Sequence, residues 1–101
     1  MNWLRLKKTW EFQEWYGFLK DTEQARVDAR LDRLSAGHFG SSRSLGEGLF
    51  ELKWKNGMRV YYSRKRVEGA DVIVLWGGFK GTQPADIARA RKLKRAYENE
   101  R

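Results

Sequence analysis

The chain of 101 residues lacks cysteine and contains one histidine and one proline. Without cysteine it has no disulfide, no thiol nucleophile and no thiolate metal site, and one histidine cannot form a multi-histidine centre. No segment approaches the roughly 20 consecutive apolar residues of a membrane span, and the first residues hold no apolar run of the kind found in a signal peptide. These absences predict a cytoplasmic protein that binds no metal ion and no other cofactor.

The charge is strongly one-sided, because 21 Lys and Arg residues outnumber 13 Asp and Glu residues and give a formal net charge of +8. Such a field attracts a polyanion or an acidic protein partner. Hydrophobic residues make up 41% of the chain, which is enough for a folded core. A chain of this length predicts a single domain, residues 1–101, with one main functional surface.

The chain begins with a pattern that predicts a short strand and then a helix. Residues 3–7 alternate between apolar and polar side chains, and Thr9 is placed to cap a helix that has Glu11 in its first turn. The apolar stripe of this helix consists of Phe12, Trp15, Tyr16 and Leu19. This stripe is typical of a helix that covers one side of a sheet.

A second helix is predicted directly after the first. Asp21 and Thr22 supply its cap, and Gly37 ends it as a C′ glycine. Its apolar stripe consists of Val27, Leu31 and Leu34. Residues 37–48 are rich in glycine and serine without periodicity, so they predict a loop, and Arg43 is the strong cation within it.

Residues 49–63 predict a β-hairpin around Asn56-Gly57. A two-residue loop would pair Trp54 with Arg59 and mix apolar and charged side chains on both faces. A three-residue loop, with Gly57 in the left-handed conformation, separates the two faces. It pairs Lys53 with Arg59, Leu52 with Val60 and Glu51 with Tyr61. One face then carries Phe50, Leu52, Trp54, Met58, Val60 and Tyr62. The opposite face carries Glu51, Lys53, Arg59, Tyr61 and Ser63.

Residues 71–76 predict a central strand, because their apolar run is suited to a position covered on both sides. Gly77 and Gly78 then predict a sharp turn of the backbone off this strand. A final helix follows, with Ile87, Ala90, Leu93 and Tyr97 on its apolar face. The predicted order is β-α-α-β-β-β-α, an α+β fold in which a helical hairpin packs on a small, mainly antiparallel sheet.

The start of the final helix explains most of the stretch GTQPAD at residues 81–86. Gln83 is expected as the cap, Pro84 at the first helical position and Asp86 as a capping carboxylate. Lys80 is not explained in this way. It places a cation beside a helix N-terminus, whose free N–H groups favour phosphate.

The polar face of the hairpin is the first candidate for chemistry. Cleavage of a phosphodiester by the neighbouring ribose 2′-hydroxyl needs a proton acceptor, a proton donor and cations that stabilise the charged transition state. Arginine suits bidentate contact with phosphate, whereas lysine acts as a point charge. The residues that could divide these roles are Glu51, Tyr61, Arg59, Lys80 and Arg43. The alternative is a solvated sheet face with cross-strand ion pairs.

Three stretches of the chain also carry a resemblance. They are RLDRLSAG at residues 30–37, LFELKWKNGMRVYYSR at residues 49–64 and VIVLWGGFKGTQPADIARARKL at residues 72–93. Together they resemble the RelE/ParE superfamily of bacterial toxins, and specifically its HigB-like addiction module killer branch. The most specific matches are the hairpin and the residues Gly77, Gly78, Lys80, Gln83, Asp86, Ile87 and Ala90.

This resemblance implies a RelE-like fold and a metal-independent endoribonuclease, an mRNA interferase that inhibits translation by cleaving mRNA on the ribosome. Arg59 matches the phosphate-contacting arginine of the family, Lys80 matches its basic residue after the last strand, and Arg43 lies where a loop cation occurs. The predicted catalytic residues are therefore Arg59, Lys80, Glu51 and Tyr61. The predicted substrate-binding residues are Arg43, Lys53 and Gln83.

The resemblance also implies partners and an alternative function. The implied inhibitor is a cognate antitoxin, often a helix-turn-helix protein, and operator DNA is reached only through it. The ParE branch shares the fold but inhibits DNA gyrase by binding, without cleaving RNA. Where RelE relatives have lysines in the first hairpin strand, this chain has Leu49 and Glu51. Glu51 thus becomes a candidate general base, and the choice between Glu51 and Tyr61 for proton transfer stays open.

Overall fold

Strands and helices are grouped along the chain in an α+β arrangement, as the sequence predicts: two helices follow the first strand, and a run of four strands precedes the last helix. The computed structural model describes residues 3–67 and 69–99, and that part contains five strands and three α-helices. The strands are β1 (Leu6–Lys8), β2 (Arg43–Gly46), β3 (Leu49–Lys53), β4 (Met58–Ser63) and β5 (Val72–Phe79). The helices are α1 (Trp10–Gly17), α2 (Asp21–Ser35) and α3 (Gln83–Glu98), and a 3₁₀ turn (Lys80–Thr82) precedes α3. None of the helices in these residues is long and apolar enough to span a bilayer.

The five strands form one mixed sheet in the order β1-β5-β4-β3-β2. Strand β1 runs parallel to β5, with Leu6 opposite Val72. All other neighbours are antiparallel. A parallel pair needs a long crossover, which the two helices and the hairpin provide here.

The prediction of a loop over residues 37–48 is wrong for its second half, and the element order gains a strand. Arg43 and Ser44 pair with Glu51 and Phe50, and a bulge follows before Gly46. An edge strand needs pairing on one side alone, so serine and glycine can form it without an apolar pattern. As a result, Arg43 lies in β2 directly opposite Glu51 rather than in a free loop.

The hairpin register predicted from the sequence is confirmed. Lys53 lies opposite Arg59, and the other pairs are Leu52 with Val60 and Glu51 with Tyr61. Gly57 has a φ of 94°, the left-handed conformation that a three-residue loop requires at this point. The alternation of side chains together with this glycine therefore fixes which residues share a face.

Helices α1 and α2 cover one face of the sheet with apolar side chains. The buried residues of this cluster are Phe12, Val27, Leu31, Leu34, Leu52, Met58, Val60, Tyr62, Val72 and Val74. Phe50 and Trp54 pack against it. The predicted apolar face of the hairpin is thereby confirmed, as are the inward stripes of the two helices.

Helix α3 covers the opposite face, so the polar side of the hairpin is not the solvated sheet face that the sequence allows as an alternative. Tyr61 is 0% exposed and packs in a second apolar cluster with Ile73, Leu75 and Ala90. Glu51, Arg59 and Ser63 are also buried on this face. The predicted central strand is confirmed, because β5 contributes alternate side chains to both clusters. At the far end of α3, the Ser63 hydroxyl donates a hydrogen bond to Glu98.

Gly77 and Gly78 lie inside β5, so the expected sharp turn at this pair is wrong. A Cβ atom on Gly77 would lie 2.2 Å from the Trp15 ring, and one on Gly78 would lie 2.0 Å from Oδ2 of Asp86. The two glycines therefore admit an indole on one face of the sheet and a carboxylate on the other. Close approach of side chains, rather than backbone conformation, accounts for both.

The element boundaries differ from the predictions by one to three residues. Strand β1 begins at Leu6 rather than at residue 3, and Leu19 lies beyond the end of α1. Thr9 caps α1 as predicted, since its hydroxyl accepts from the Phe12 N–H at 2.9 Å. Helix α2 is capped one residue earlier than predicted, at Lys20.

Helix α3 is likewise capped one residue earlier than predicted. Thr82 takes the cap position in place of Gln83, so Gln83 is the first helical residue. Asp86 lies one turn further on and accepts a hydrogen bond from the Thr82 hydroxyl. This shift turns the Gln83 side chain into a contact with the sheet rather than a cap.

Candidate anion-binding site

A cavity of about 370 Å³ opens where β2, β3, β4 and the start of α3 meet. We call it the anion cavity. It is lined by Ser41, Arg43, Glu51, Lys53, Arg59 and Gln83. Five of these six residues were predicted from the sequence as catalytic or substrate-binding, and the fold brings them together around one space. Three of the six carry a positive charge and one carries a negative charge.

Glu51 lies at the centre of the anion cavity and is held by three side chains. Its Oε1 lies 3.1 Å from Nη2 of Arg43, and its Oε2 lies 3.7 Å from Nη1 of Arg59. The Gln83 amide donates a hydrogen bond of 2.8 Å to Oε2. Only 2% of the Glu51 side chain is exposed, and a buried carboxylate is stable when cations and donors surround it in this way.

The strand pairing explains why these charges meet. Arg43 lies directly across from Glu51 on the neighbouring strand β2. Arg59 is two residues from Tyr61, the β4 partner of Glu51, and so lies diagonally on the same face. Gln83 reaches the carboxylate from above because α3 begins over this corner of the sheet.

Arg59 lines the anion cavity with a guanidinium that is not fully hydrogen-bonded. Its side chain is 9% exposed, and its Nε atom has no hydrogen-bond partner in the part of the chain that the structure describes. A guanidinium has five N–H donors, and a buried donor without a partner is costly. An anion entering the cavity would meet a guanidinium that Glu51 satisfies only in part.

Lys80 lies beside the anion cavity rather than in its wall. It lines a second cavity of about 340 Å³. The residues around that cavity are Lys53, Trp54, Lys55, Gly57, Arg59 and Lys80. Because Lys53 and Arg59 belong to both cavities, Lys80 extends the positive surface from the anion cavity toward the hairpin loop.

Tyr61 does not reach either cavity, although the sequence suggested it as a proton donor or acceptor. Its side chain is fully buried under α3. Burial, with the negative charges of Glu51 and Asp86, holds the pKa of this phenol above its ordinary value. Because its side chain is buried, Tyr61 cannot contact a substrate in the anion cavity, and its predicted role in proton transfer is corrected.

Asp86 fixes the start of α3 and thereby the position of Gln83. Its Oδ1 accepts a hydrogen bond of 3.0 Å from the Trp76 indole N–H, and its other oxygen accepts from Thr82. The carboxylate rests on Gly78, where any larger residue would collide with it. These contacts place Asp86 in a supporting role one turn away from the anion cavity.

Ser41 is the lining residue that the sequence does not predict. Its hydroxyl accepts a hydrogen bond of 2.8 Å from Nη2 of Arg30, which reaches over from α2. No pattern marks Ser41 among the serines and glycines of residues 37–48, so its position could be learned only from the fold. Within residues 3–67 and 69–99, no group of three or more His, Cys, Asp and Glu side chains is arranged to hold a metal ion.

Comparison with known proteins finds a relative but no described activity. The chain is 37% identical over 91 residues to an uncharacterized protein of Haemophilus influenzae, which covers 89% of this chain and 92% of that protein. No family model matches the sequence. No solved structure matches it either. The chain belongs to the same family as the Haemophilus protein.

Proposed function

We propose that this protein is the toxin of a type II toxin–antitoxin system, a HigB-like member of the RelE/ParE superfamily that cleaves mRNA on the ribosome. The observation that carries the proposal is the anion cavity, in which Arg43, Lys53 and Arg59 converge and the buried Arg59 guanidinium has an Nε donor without a partner among the described residues. A phosphodiester is the anion that such a pair of arginines suits. RNA is proposed as the substrate because the sequence motifs resemble those of the HigB-like branch.

The architecture is compatible with this proposal. A RelE-like fold places a helical hairpin against one face of a mainly antiparallel sheet, and α1 and α2 lie against the sheet in that way. The net charge of +8 favours both an RNA substrate and an acidic segment of an antitoxin laid over the basic surface. The proposal therefore extends to a RelE-like topology for this chain and to inhibition by a cognate antitoxin.

In the proposed reaction, the ribose 2′-oxygen attacks the adjacent phosphorus and the bond from phosphorus to the 5′-oxygen breaks. The products are a 2′,3′-cyclic phosphate and a free 5′-hydroxyl. Arg43 and Arg59 donate hydrogen bonds to the non-bridging oxygens, which gain negative charge in the transition state. Lys53 lies exposed at the same cavity and gives a proton to the leaving 5′-oxygen.

Glu51 is the proton acceptor in this scheme, since it is the one carboxylate among the described residues that line the anion cavity. When Glu51 takes the proton of the 2′-hydroxyl, its negative charge disappears. Its attraction to Arg43 and Arg59 weakens at the moment when the phosphate becomes more negative. The two guanidinium groups are then free to turn from the carboxylate to the phosphate.

The experiment that tests the function maps the 5′ ends of cellular transcripts after brief expression of the chain without a partner. We expect new ends inside coding sequences and arrest of growth. Arg59→Ala should lower the yield of new ends by at least about 100-fold, the effect of removing one donor to a developing oxyanion. Lys80→Ala should also reduce cleavage and restore growth.

Arg66→Ala is the matched control, because its side chain is 81% exposed in an ion pair with Asp71. It removes the same charge and should leave cleavage unchanged. Intact transcripts together with DNA damage would overturn the proposal in favour of a gyrase inhibitor. Full toxicity of folded Arg59→Ala and Lys80→Ala would show that the site is placed wrongly.

A further inference from the structure

The surface around the hairpin loop continues from the anion cavity without a break. The second cavity shares Lys53 and Arg59 with the anion cavity. A third cavity of about 510 Å³ is lined by Arg26, Trp54, Lys55 and Asn56, and so shares Trp54 and Lys55 with the second. We call the residues Lys53, Trp54, Lys55, Asn56, Lys80 and Arg26 the hairpin track.

Trp54 is the aromatic centre of the hairpin track. The Arg30 guanidinium lies over its ring, with the central carbon 4.4 Å from the ring centroid. Arg30 is itself fixed, because it donates hydrogen bonds to the Lys53 carbonyl at 2.6 Å and to the Ser41 hydroxyl at 2.8 Å. Ser41 lines the anion cavity, so one side chain braces both the cavity and the tryptophan. The indole is therefore held in place before any ligand arrives.

The charge along the track has one sign. Within the described chain, the residues that line the second and third cavities include four cations in Lys53, Lys55, Arg59 and Lys80, a fifth in Arg26, and no carboxylate. A row of cations interrupted by a fixed aromatic ring is the pattern that binds single-stranded nucleic acid. The cations follow the phosphates, and a base stacks on the ring whatever its identity.

We propose that single-stranded RNA runs from the anion cavity along the hairpin track and stacks one base against Trp54. This proposal rests on the proposed function, in that the phosphate in the anion cavity is the one to be cleaved. It adds a second, non-reacting contact to the same RNA strand, outside the anion cavity. Binding at such a remote contact holds the reacting phosphate in position and raises the rate on longer substrates.

The test measures binding of 2′-O-methyl oligoribonucleotides, which lack the attacking hydroxyl and cannot be cleaved. Fluorescence anisotropy with labelled three-residue and eight-residue strands reports the dissociation constants. The wild-type chain should bind the longer strand at least about tenfold more tightly, since only the longer strand can fill the anion cavity and the whole hairpin track at once. Trp54→Leu should remove this advantage and leave binding of the short strand unchanged. Trp54→Phe should retain most of it.

Trp54 packs against the apolar cluster, so a second pair of variants keeps the test independent of folding. Lys55→Ala removes a cation of the track, and Lys92→Ala removes an exposed cation of α3 that lines a different cavity. Lys55→Ala should weaken binding of the long strand. It should also reduce the slope of log affinity against log salt concentration by about one, because one fewer counterion is released on binding. Lys92→Ala should do neither.

Equal effects of the two lysine variants would overturn the proposal, because net charge alone would then explain binding. Equal affinity for the short and long strands would overturn it as well. Tighter binding of duplex RNA, or of an acidic peptide, with the same dependence on Trp54 would assign the track to that partner instead. If binding depends on strand length and on Trp54 as expected but unmodified RNA is not cleaved, the proposed function is wrong and the hairpin track is still an RNA-binding surface.

Discussion

The two faces of the sheet are built on opposite principles. Under α1 and α2, the buried side chains form an almost entirely apolar cluster around Phe12 and Leu34. Under α3, the sheet buries Glu51, Arg59 and Ser63 beside a smaller apolar cluster. Burying such groups costs free energy that ion pairs and hydrogen bonds offset only in part. The first face thus contributes the stability that allows the second face to hold charges in a fixed arrangement.

The largest expected effect comes from the apolar face. Phe12→Ala deletes a fully buried ring at the centre of its cluster and should lower the free energy of unfolding by about 3–5 kcal/mol. Urea denaturation followed by circular dichroism measures this loss. Binding of the uncleavable eight-residue RNA by the protein that remains folded should not change. A loss of RNA affinity equal to the loss of stability would mean that the two faces do not divide these tasks.

The adjacent glycines of β5 offer a matched pair of intermediate size. Gly77→Ala meets Trp15 on the apolar face, and Gly78→Ala meets Asp86 on the polar face. Each added methyl group should cost about 1–3 kcal/mol of stability through overpacking. Only Gly78→Ala should also weaken RNA binding, because displacing Asp86 moves the start of α3 and with it Gln83.

Thermal unfolding together with anisotropy on both glycine variants separates the two effects. The decisive quantity is the ratio of RNA affinities at a temperature where both variants are folded. Equal affinities would show that the link from Asp86 to the anion cavity through the first turn of α3 does not exist. Weaker RNA binding by Gly77→Ala would show that RNA affinity depends on the apolar face of the sheet, which contradicts the division of tasks between the two faces.

The smallest expected effect concerns a polar contact at the edge of the apolar face. The Tyr16 hydroxyl donates to both carboxylate oxygens of Asp28, at 2.8 and 2.7 Å. Burial, followed by this hydrogen bond, raises the pKa of Tyr16 from 10.0 to about 12. The unfolded chain therefore loses this proton at lower pH than the folded chain. The contribution to stability is complete below about pH 10 and is lost as the pH rises to about 12.

Tyr16→Phe should lower the free energy of unfolding by about 1 kcal/mol at neutral pH. Urea titrations between pH 8 and about pH 12 should show the difference between wild type and variant shrinking above pH 10. A difference that stays constant over this range would contradict the assignment of the proton to this hydroxyl. RNA binding near neutral pH should be the same in both proteins.

The local patterns of the sequence were sufficient for the hairpin. Its register followed from the alternation of Leu52, Trp54 and Val60 with charged residues, and from a glycine at the one position that needs a positive φ. Such features depend on neighbours along the chain, so the sequence displays them directly. The same register places Glu51, Lys53 and Arg59 on one face, whereas Arg43 and Gln83 join them through β2 and α3.

The features that the sequence did not reveal depend on contacts between distant segments. Strand β2 lies at an edge and consists of the four residues RSLG, which are too few and too mixed to show a strand pattern. The sequence predicts the apolar face of α3, which includes Ala90, but it does not show which side of the sheet that face covers. For that reason the sequence makes Tyr61 a candidate for proton transfer, whereas α3 buries it.

The arrangement around Glu51 also bears on how selective the site can be. The Glu51 carboxylate already contacts Arg43 and Gln83 and lies 3.7 Å from Arg59, so an incoming anion competes with it for these donors rather than entering a vacant site. The measured affinity is then a difference between two anions competing for the same donors. Chloride, or a carboxylate from solution, gains little by this exchange. A phosphodiester, which can accept from both guanidinium groups at once, gains more, and its transition state gains the most.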